Sequence, residues 1–150
     1  MRRTRKGDFT VTVSPDERDA LRNLVSQLRE LLKDDASDPS LRRLFPPAYT
    51  ENDELETEYK ELMSQDLFDR HVAALDVFES TMERNRISED ELHGWLTALN
   101  QLRLVLGTRL DVTEELDPTD LTVDDPRHAA FAVYHYLTWL QDEVVTALSS

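Results

Sequence analysis

The chain has 150 residues, 39% of them hydrophobic and 32% charged, with 31 acidic side chains against 17 basic ones and a formal charge of −14 at pH 7. That length suits one domain able to bury most of its apolar surface, and the apolar content is too high and too evenly spread for a disordered chain. The lack of any cysteine excludes disulfides, thiol redox chemistry, zinc fingers and iron–sulfur ligation within the chain.

Arg2, Arg3, Arg5 and Lys6 open the chain, but Gly7, Asp8 and Phe9 follow where a secretory signal would turn apolar. The expectation is a basic flexible tail over 1–7 and a single domain over 8–150. No run approaches the roughly 18 apolar residues of a membrane span, which points to the cytoplasm. Beyond Lys6 the chain keeps 13 basic and all 31 acidic residues, so residues 7–150 carry −18. A body this acidic repels phosphate backbones and suits a cationic partner. Direct DNA binding would fall to the Arg2–Lys6 arm, a weak and salt-sensitive contact.

From Asp8 to Val13 the pattern alternates, with Phe9, Val11 and Val13 on one face, as in a short strand. Such a strand needs a partner. Leu121-Thr122-Val123 is the candidate within the chain, and a second subunit or another protein is the alternative. Ser14-Pro15-Asp16-Glu17 reads as a capping box opening a helix, whose core stripe is Leu21, Leu24, Val25, Leu28, Leu31 and Leu32. Asp38-Pro39 starts a short helical stretch through Leu44, stopped by Pro46-Pro47. From about Asn52 a stripe of Leu55, Tyr59, Leu62 and Met63 gives way to an out-of-phase stripe of Leu67, His71, Leu75, Phe78 and Met82, so a kink is expected near Ser64. Ser88-Glu89-Asp90-Glu91 is a second capping box. The helix it opens carries Leu92, Trp95, Leu96, Leu99, Leu102 and Leu106, with Gly107 as its natural C-cap and Arg109 complementing its negative end. Residues 111–125 hold seven acids and no base and read as a solvated connector. Asp125-Pro126 starts a last helix with a core face of Phe131, Tyr134, Leu137, Leu140, Val144 and Leu148. The expected fold is a mainly α bundle of five or six helices with one short N-terminal strand.

Motifs for chemistry are sparse. Nucleophile elbows, P-loops and dinucleotide-binding glycine patterns are missing, and three glycines scarcely permit them. Asp90-x-x-His93 and Asp125-x-x-His128 share the spacing of bundle metal ligands, and His135 lies seven residues beyond His128. Both aspartates are better placed as helix-start residues. A metal enzyme or sensor built on His93, His128 and His135 is therefore the alternative reading, and no cofactor is expected. Glu54, Glu58 and Glu61, at i, i+4 and i+7, form a carboxylate stripe within residues 50–69, which carry eight acids and one base. This stripe is the candidate partner-binding surface. Arg103 interrupts an apolar run and cannot be buried unpaired, so a carboxylate from helix 51–63 is its expected mate unless it faces a site. No helix is basic on its polar face as a DNA recognition helix would be.

Four segments taken together carry a resemblance: Arg43-Leu44-Phe45-Pro46-Pro47-Ala48-Tyr49, then Glu58-Tyr59, then Leu99-Asn100-x-Leu102-Arg103-Leu104-x-Leu106-Gly107-Thr108-Arg109-Leu110, then Tyr136-Leu137-Thr138-Trp139-Leu140-Gln141. In this order and over nearly the whole chain they resemble an actinobacterial family of unknown function, encoded near the ClpS protease adaptor, with some members called transcriptional regulators of oxidative stress. The family has no agreed catalytic residues to carry over. The resemblance implies control through protein contact, without catalysis, and thiol-based sensing proposed for the family has no cysteine to act on here. With the acidic body, it makes a basic surface of RNA polymerase or a sigma factor the expected partner, and homodimerisation is compatible with that reading.

Overall fold

A computed structural model describes residues 1–34, 41, 44, 53–110 and 127–150, with the backbone alone for residues 34 and 53–64. The described elements are β1 (Arg2–Arg3), β2 (Phe9–Thr10), α1 (Pro15–Asp34), α2 (Asp53–Ser80), β3 (Arg86–Ile87), α3 (Glu89–Arg109) and α4 (Arg127–Leu148). The fold is mainly α, with four helices among the described residues in place of the five or six expected, and a three-stranded sheet in place of a lone strand.

One reason for the lower count is α2. No proline or glycine lies between Asp53 and Ser80, so nothing forces the backbone to break. The shift of stripe near Ser64 is a change of face along one continuous 28-residue helix. Leu75, Phe78 and Met82 of the second stripe are fully buried. The side chains of the first stripe lie outside the described residues, as does most of the short helix expected over 38–44. Leu41 and Leu44 are buried, and the Leu44 N–H donates to the Leu41 carbonyl at 2.9 Å.

The strand partner also differs from expectation. β2 pairs antiparallel with β1 on one side (Arg2 opposite Thr10, Arg3 opposite Phe9) and with β3 on the other (Phe9 opposite Ile87, Thr10 opposite Arg86). Leu121–Val123 lies outside the described residues. The segment read as a tail thus contributes an edge strand, joined to β2 by a turn in which Gly7 adopts φ +91°, a conformation glycine reaches without a Cβ clash. The alternation itself is as read: Phe9, Val11 and Val13 all face the core. Strands of two residues do not stand alone in water. The sheet is held from both flanks, by Arg3 lying over the Phe9 ring and donating to the Leu148 and Ser150 carbonyls at 3.2 and 3.1 Å, and by Arg18.

Arg18 is 8% exposed and is the first member of the stripe Arg18, Leu21, Val25, Leu28 and Leu32 on α1. Its guanidinium donates to the Val13 carbonyl at 3.0 Å, to the Met82 carbonyl at 2.9 Å and to Asn85 Oδ1 at 3.4 Å. One side chain thereby joins the segment between β2 and α1, the turn after α2 and the lead into β3. α3 is the central helix, packed on α2, α4 and α1. Trp95 lies on it, fully buried, edge-on to Phe78 at 4.8 Å and donating from its indole to the Thr81 hydroxyl at 2.6 Å. Across the same interface Gly94 faces Val77, and a Cβ there would come within 2.7 Å of Val77 Cγ1.

Both helix starts were legible, but they are built differently. At α3 the box is complete: the Glu91 N–H donates to Ser88 Oγ at 3.1 Å and the Ser88 N–H to Glu91 Oε1 at 2.8 Å. At α1 the Glu17 N–H donates to Ser14 Oγ at 3.2 Å, while the Glu17 carboxylate accepts from the Tyr136 hydroxyl of α4 at 2.6 Å. Gly107 is buried inside α3, and the cap is Leu110, whose N–H donates to the Leu106 carbonyl at 3.0 Å.

Two consequences are measurable by urea denaturation. Arg18→Met leaves the Val13 and Met82 carbonyls without their donor and should cost roughly 3 kcal/mol, a lower midpoint at unchanged slope. Glu91 is held below its ordinary 4.5 chiefly by the Ser88 backbone N–H, with Arg84 adding to the effect. A carboxylate whose folded value is lowered contributes its full stability above the ordinary value and loses it as pH falls through the lowered one. Glu91→Ala should therefore be about 1 kcal/mol less stable than the parent at pH 7, with the gap narrowing below pH 4.5.

Candidate functional site

The acidic stripe rests on α2. Glu54, Glu58 and Glu61 fall within its continuous backbone, so their spacing sets them on one helical face, while their side chains lie outside the described residues. Further along the same helix the acids are engaged. Asp76 and Glu79 receive Arg29 of α1 at 2.6 and 2.8 Å, and Asp66 pairs with Arg70 at 3.0 Å. These are partly exposed surface pairs and contribute little each to stability. They offset two of the four acidic charges in residues 65–80 with Arg29 and Arg70.

The side chains of the expected helix 51–63 lie outside the described residues, and among those described Arg103 meets no carboxylate. Its Nη1 donates to Gln141 Oε1 at 3.0 Å and its guanidinium lies over the Tyr134 ring, 5.7 Å from the centroid, both on α4. Its Nε is buried without a hydrogen-bond partner. Gln141 in turn approaches Asn100 at 3.5 Å, so the arginine belongs to a polar seam between α3 and α4. Arg109 is exposed in the last turn of α3, where its charge complements the helix end. Gln101 carries no obvious mark in the sequence, yet it is 2% exposed and neither amide atom has a partner among the described residues. The one faint mark is its spacing with Gly94, Ala98 and Val105, a second inward stripe on a helix buried from more than one side.

His93, His128 and His135 are each exposed, and among the described residues no three His, Asp or Glu side chains gather where a metal could be held. Among them, too, no helix is long and apolar enough to cross a membrane. Arg3 of the basic arm is committed to Phe9, the C-terminal carbonyls and, at 3.8 Å, Glu89. Arg2, Arg5 and Lys6 remain exposed.

Among the described residues an apolar groove lies between α1 and α4. It encloses about 520 Å³ and is lined by apolar side chains of both helices, with Leu21 at its floor and Asp16 and Glu17 at one end. Tyr136 spans it through its bond to Glu17; burial first, and then Glu17, raise this phenol far above its ordinary range. Trp139, 54% exposed, lies against Tyr136 with ring centroids 6.0 Å apart. Neither aromatic belongs to the core face read from the sequence, and that displacement was the available sign of a surface role.

A family model described as Domain of unknown function (DUF2017) matches residues 1–148. The oxidative stress regulator AosR of Mycobacterium tuberculosis is 29% identical over 185 aligned positions, covering 97% of this chain and 84% of that protein. The oxidative stress regulator AosR of Mycobacterium bovis matches with the same identity and coverage. No solved structure matches the chain.

The orphaned amide of Gln101 predicts a stabilising change. Gln101→Met keeps the volume and removes two buried polar atoms that lack partners, and should raise stability by about 1 kcal/mol in thermal or urea unfolding. A loss of stability would show that the amide is satisfied in solution.

Proposed function

The chain belongs to the family described as Domain of unknown function (DUF2017), and from that premise we propose that it is a regulatory protein acting in the cytoplasm by contact with a partner protein, without catalysis. The observation that carries the reading is charge. Residues 7–150 hold 31 acids against 13 bases and so carry −18, a field that draws in a basic partner surface and speeds its association. The relatives support the regulatory part, since the M. tuberculosis and M. bovis proteins are named oxidative stress regulators. The transcription machinery supplies a target of the right sign, because RNA polymerase and sigma factors present basic surfaces to DNA.

The contact we assign is the stripe Glu54, Glu58 and Glu61 at the start of α2, joined by the seven acids of residues 111–125. In this reading the basic arm is not a DNA-binding element, since Arg3 is used to close the fold. A response to oxidative stress would require a sensor other than an intramolecular disulfide, as the chain has no cysteine.

The test is a titration of the full chain against RNA polymerase core enzyme and against sigma factors from the same cell, at low and moderate salt. Binding should weaken as salt shortens the Debye length from about 14 Å at 50 mM to about 8 Å at 150 mM. Reversing Glu54, Glu58 and Glu61 to Lys should weaken it by at least about tenfold. Unchanged affinity rejects this surface, and no binding to either target at low salt rejects the target.

A further inference from the structure

The groove between α1 and α4 is not used by the acidic stripe of α2 and is built differently. α1 packs on α2 and α3 while α4 packs on α3 and β1, and the two helices border a trough between them. Its lining is apolar through Ala20, Leu21, Leu24, Ala132 and Val133, and the only charged groups in it are Asp16 and Glu17. Ala20 and Ala132 are exposed, so the trough is open to solvent along its length. Ala132, Tyr136, Trp139 and Glu143 follow one another at i, i+4, i+7 and i+11, which makes them one outward face of α4. That face carries the aromatic pair and ends in a further acid. A tryptophan exposed to 54% beside an open apolar trough is the composition of an interaction surface.

We propose that this groove docks one amphipathic helix of a partner protein, with the helix's apolar face along Ala20, Leu24, Ala132 and Val133 and a lysine or arginine at the Asp16–Glu17 end beside Trp139. Charge selects the occupant. The groove offers two carboxylates and no cation. Glu17 keeps acceptor capacity after its bond from Tyr136, and Asp16 is exposed. The indole face of Trp139 adds a favourable site for the same cation. An acidic helix, or a second copy of this acidic chain, meets repulsion at the same place. A helix fits because an apolar trough bordered by two helices takes side chains at i, i+3, i+4 and i+7. The inference shares with the proposed function only the sign of the partner's charge, and it names a different face of the molecule.

The test uses the full chain and a synthetic peptide of about 18 residues, long enough for a helix to persist, with leucine at i, i+3, i+4 and i+7 and lysine flanking that stripe. A second peptide carries glutamate at every lysine position. The lysine peptide should shift Trp139 emission to the blue, with Trp139→Phe abolishing the shift. Ala20→Gln and Ala132→Gln fill the groove at exposed helix positions without adding charge, and each should weaken binding about tenfold while the melting curve stays in place. Glu17→Gln should weaken it and reduce its salt dependence. Reversal of Glu54, Glu58 and Glu61 should leave it within about twofold, which separates this groove from the α2 surface. No shift with the lysine peptide, equal binding of the glutamate peptide, or binding indifferent to the two glutamine variants overturns the proposal. So does a concentration-dependent dimer that buries Trp139 in the absence of peptide.

Discussion

A guanidinium buried without a carboxylate is the constraint on which the rest of this fold depends. Arg18 stands in the apolar stripe of α1, and a charge there is tolerable only if its donors are met. They are met by two backbone carbonyls and an asparagine side chain, drawn from the segment between β2 and α1, the turn after α2 and the residue before β3. This geometry fixes where α2 must stop and how the chain re-enters the sheet. It also sets β3 beside β2, because Asn85 both receives Arg18 through its side chain and accepts the Val11 N–H through its carbonyl at 2.8 Å. From there the Ser88 box launches α3 across α2, placing Trp95 against Phe78 and Thr81. The sheet is small, yet it is where the two ends of the α2–α3 hairpin and the start of α1 are locked together.

The other flank of the sheet is closed by Arg3, which reads in isolation as part of a loose cationic arm. Instead it brings the two ends of the described chain together, stacking on Phe9 and donating to the carbonyls that finish α4. The free amino group of Met1 adds a bond to Thr12 at 3.2 Å. Several of the remaining cations are likewise engaged near home: Arg22 with Glu83 and Asp19, Arg29 with Asp76 and Glu79, Arg84 with Glu91. Each pair is weak in water and ties a cation to a nearby acid, while the sequence as a whole keeps a net charge of −14. That is the physical basis for expecting a basic partner, and it connects the fold's ion pairs to the regulatory reading supported by the mycobacterial relatives.

The groove and the acidic stripe illustrate two ways for a helix bundle to present a surface. The proposed contact at the start of α2 rests on charge, which salt screens and which acts mostly on the rate of encounter. The proposed contact between α1 and α4 rests on apolar shape with a charged end, which acts mostly on residence time. Glu17 shows how closely structure and surface are coupled here. The carboxylate expected to finish a capping box is drawn off to Tyr136, tying α1 to α4 across the trough and leaving an acceptor at its mouth.

What the sequence by itself determined were the features carried by neighbours along the chain. The two serine caps, the α1 stripe, the face of α4 through Phe131, Leu137, Leu140 and Val144, and the inward set Phe9, Val11 and Val13 follow from local hydrogen bonding and from periods of 3.6 and 2. The family resemblance was legible for the same reason, in ordered segments. What only the tertiary structure decided were the pairings between distant residues. Strands of two residues leave almost no periodic signal, so β1 and β3 and their pairing with β2 carry no mark in the sequence. A change of stripe does not distinguish a kink from a continuous helix such as α2. Polar residues on inward stripes, Arg18 and Gln101 among them, look like surface residues until the packing around them is known. The same limit applied to Arg103, which finds Gln141 and Tyr134 instead of an acid, because partner choice is set by which helix faces it and charge composition does not encode that.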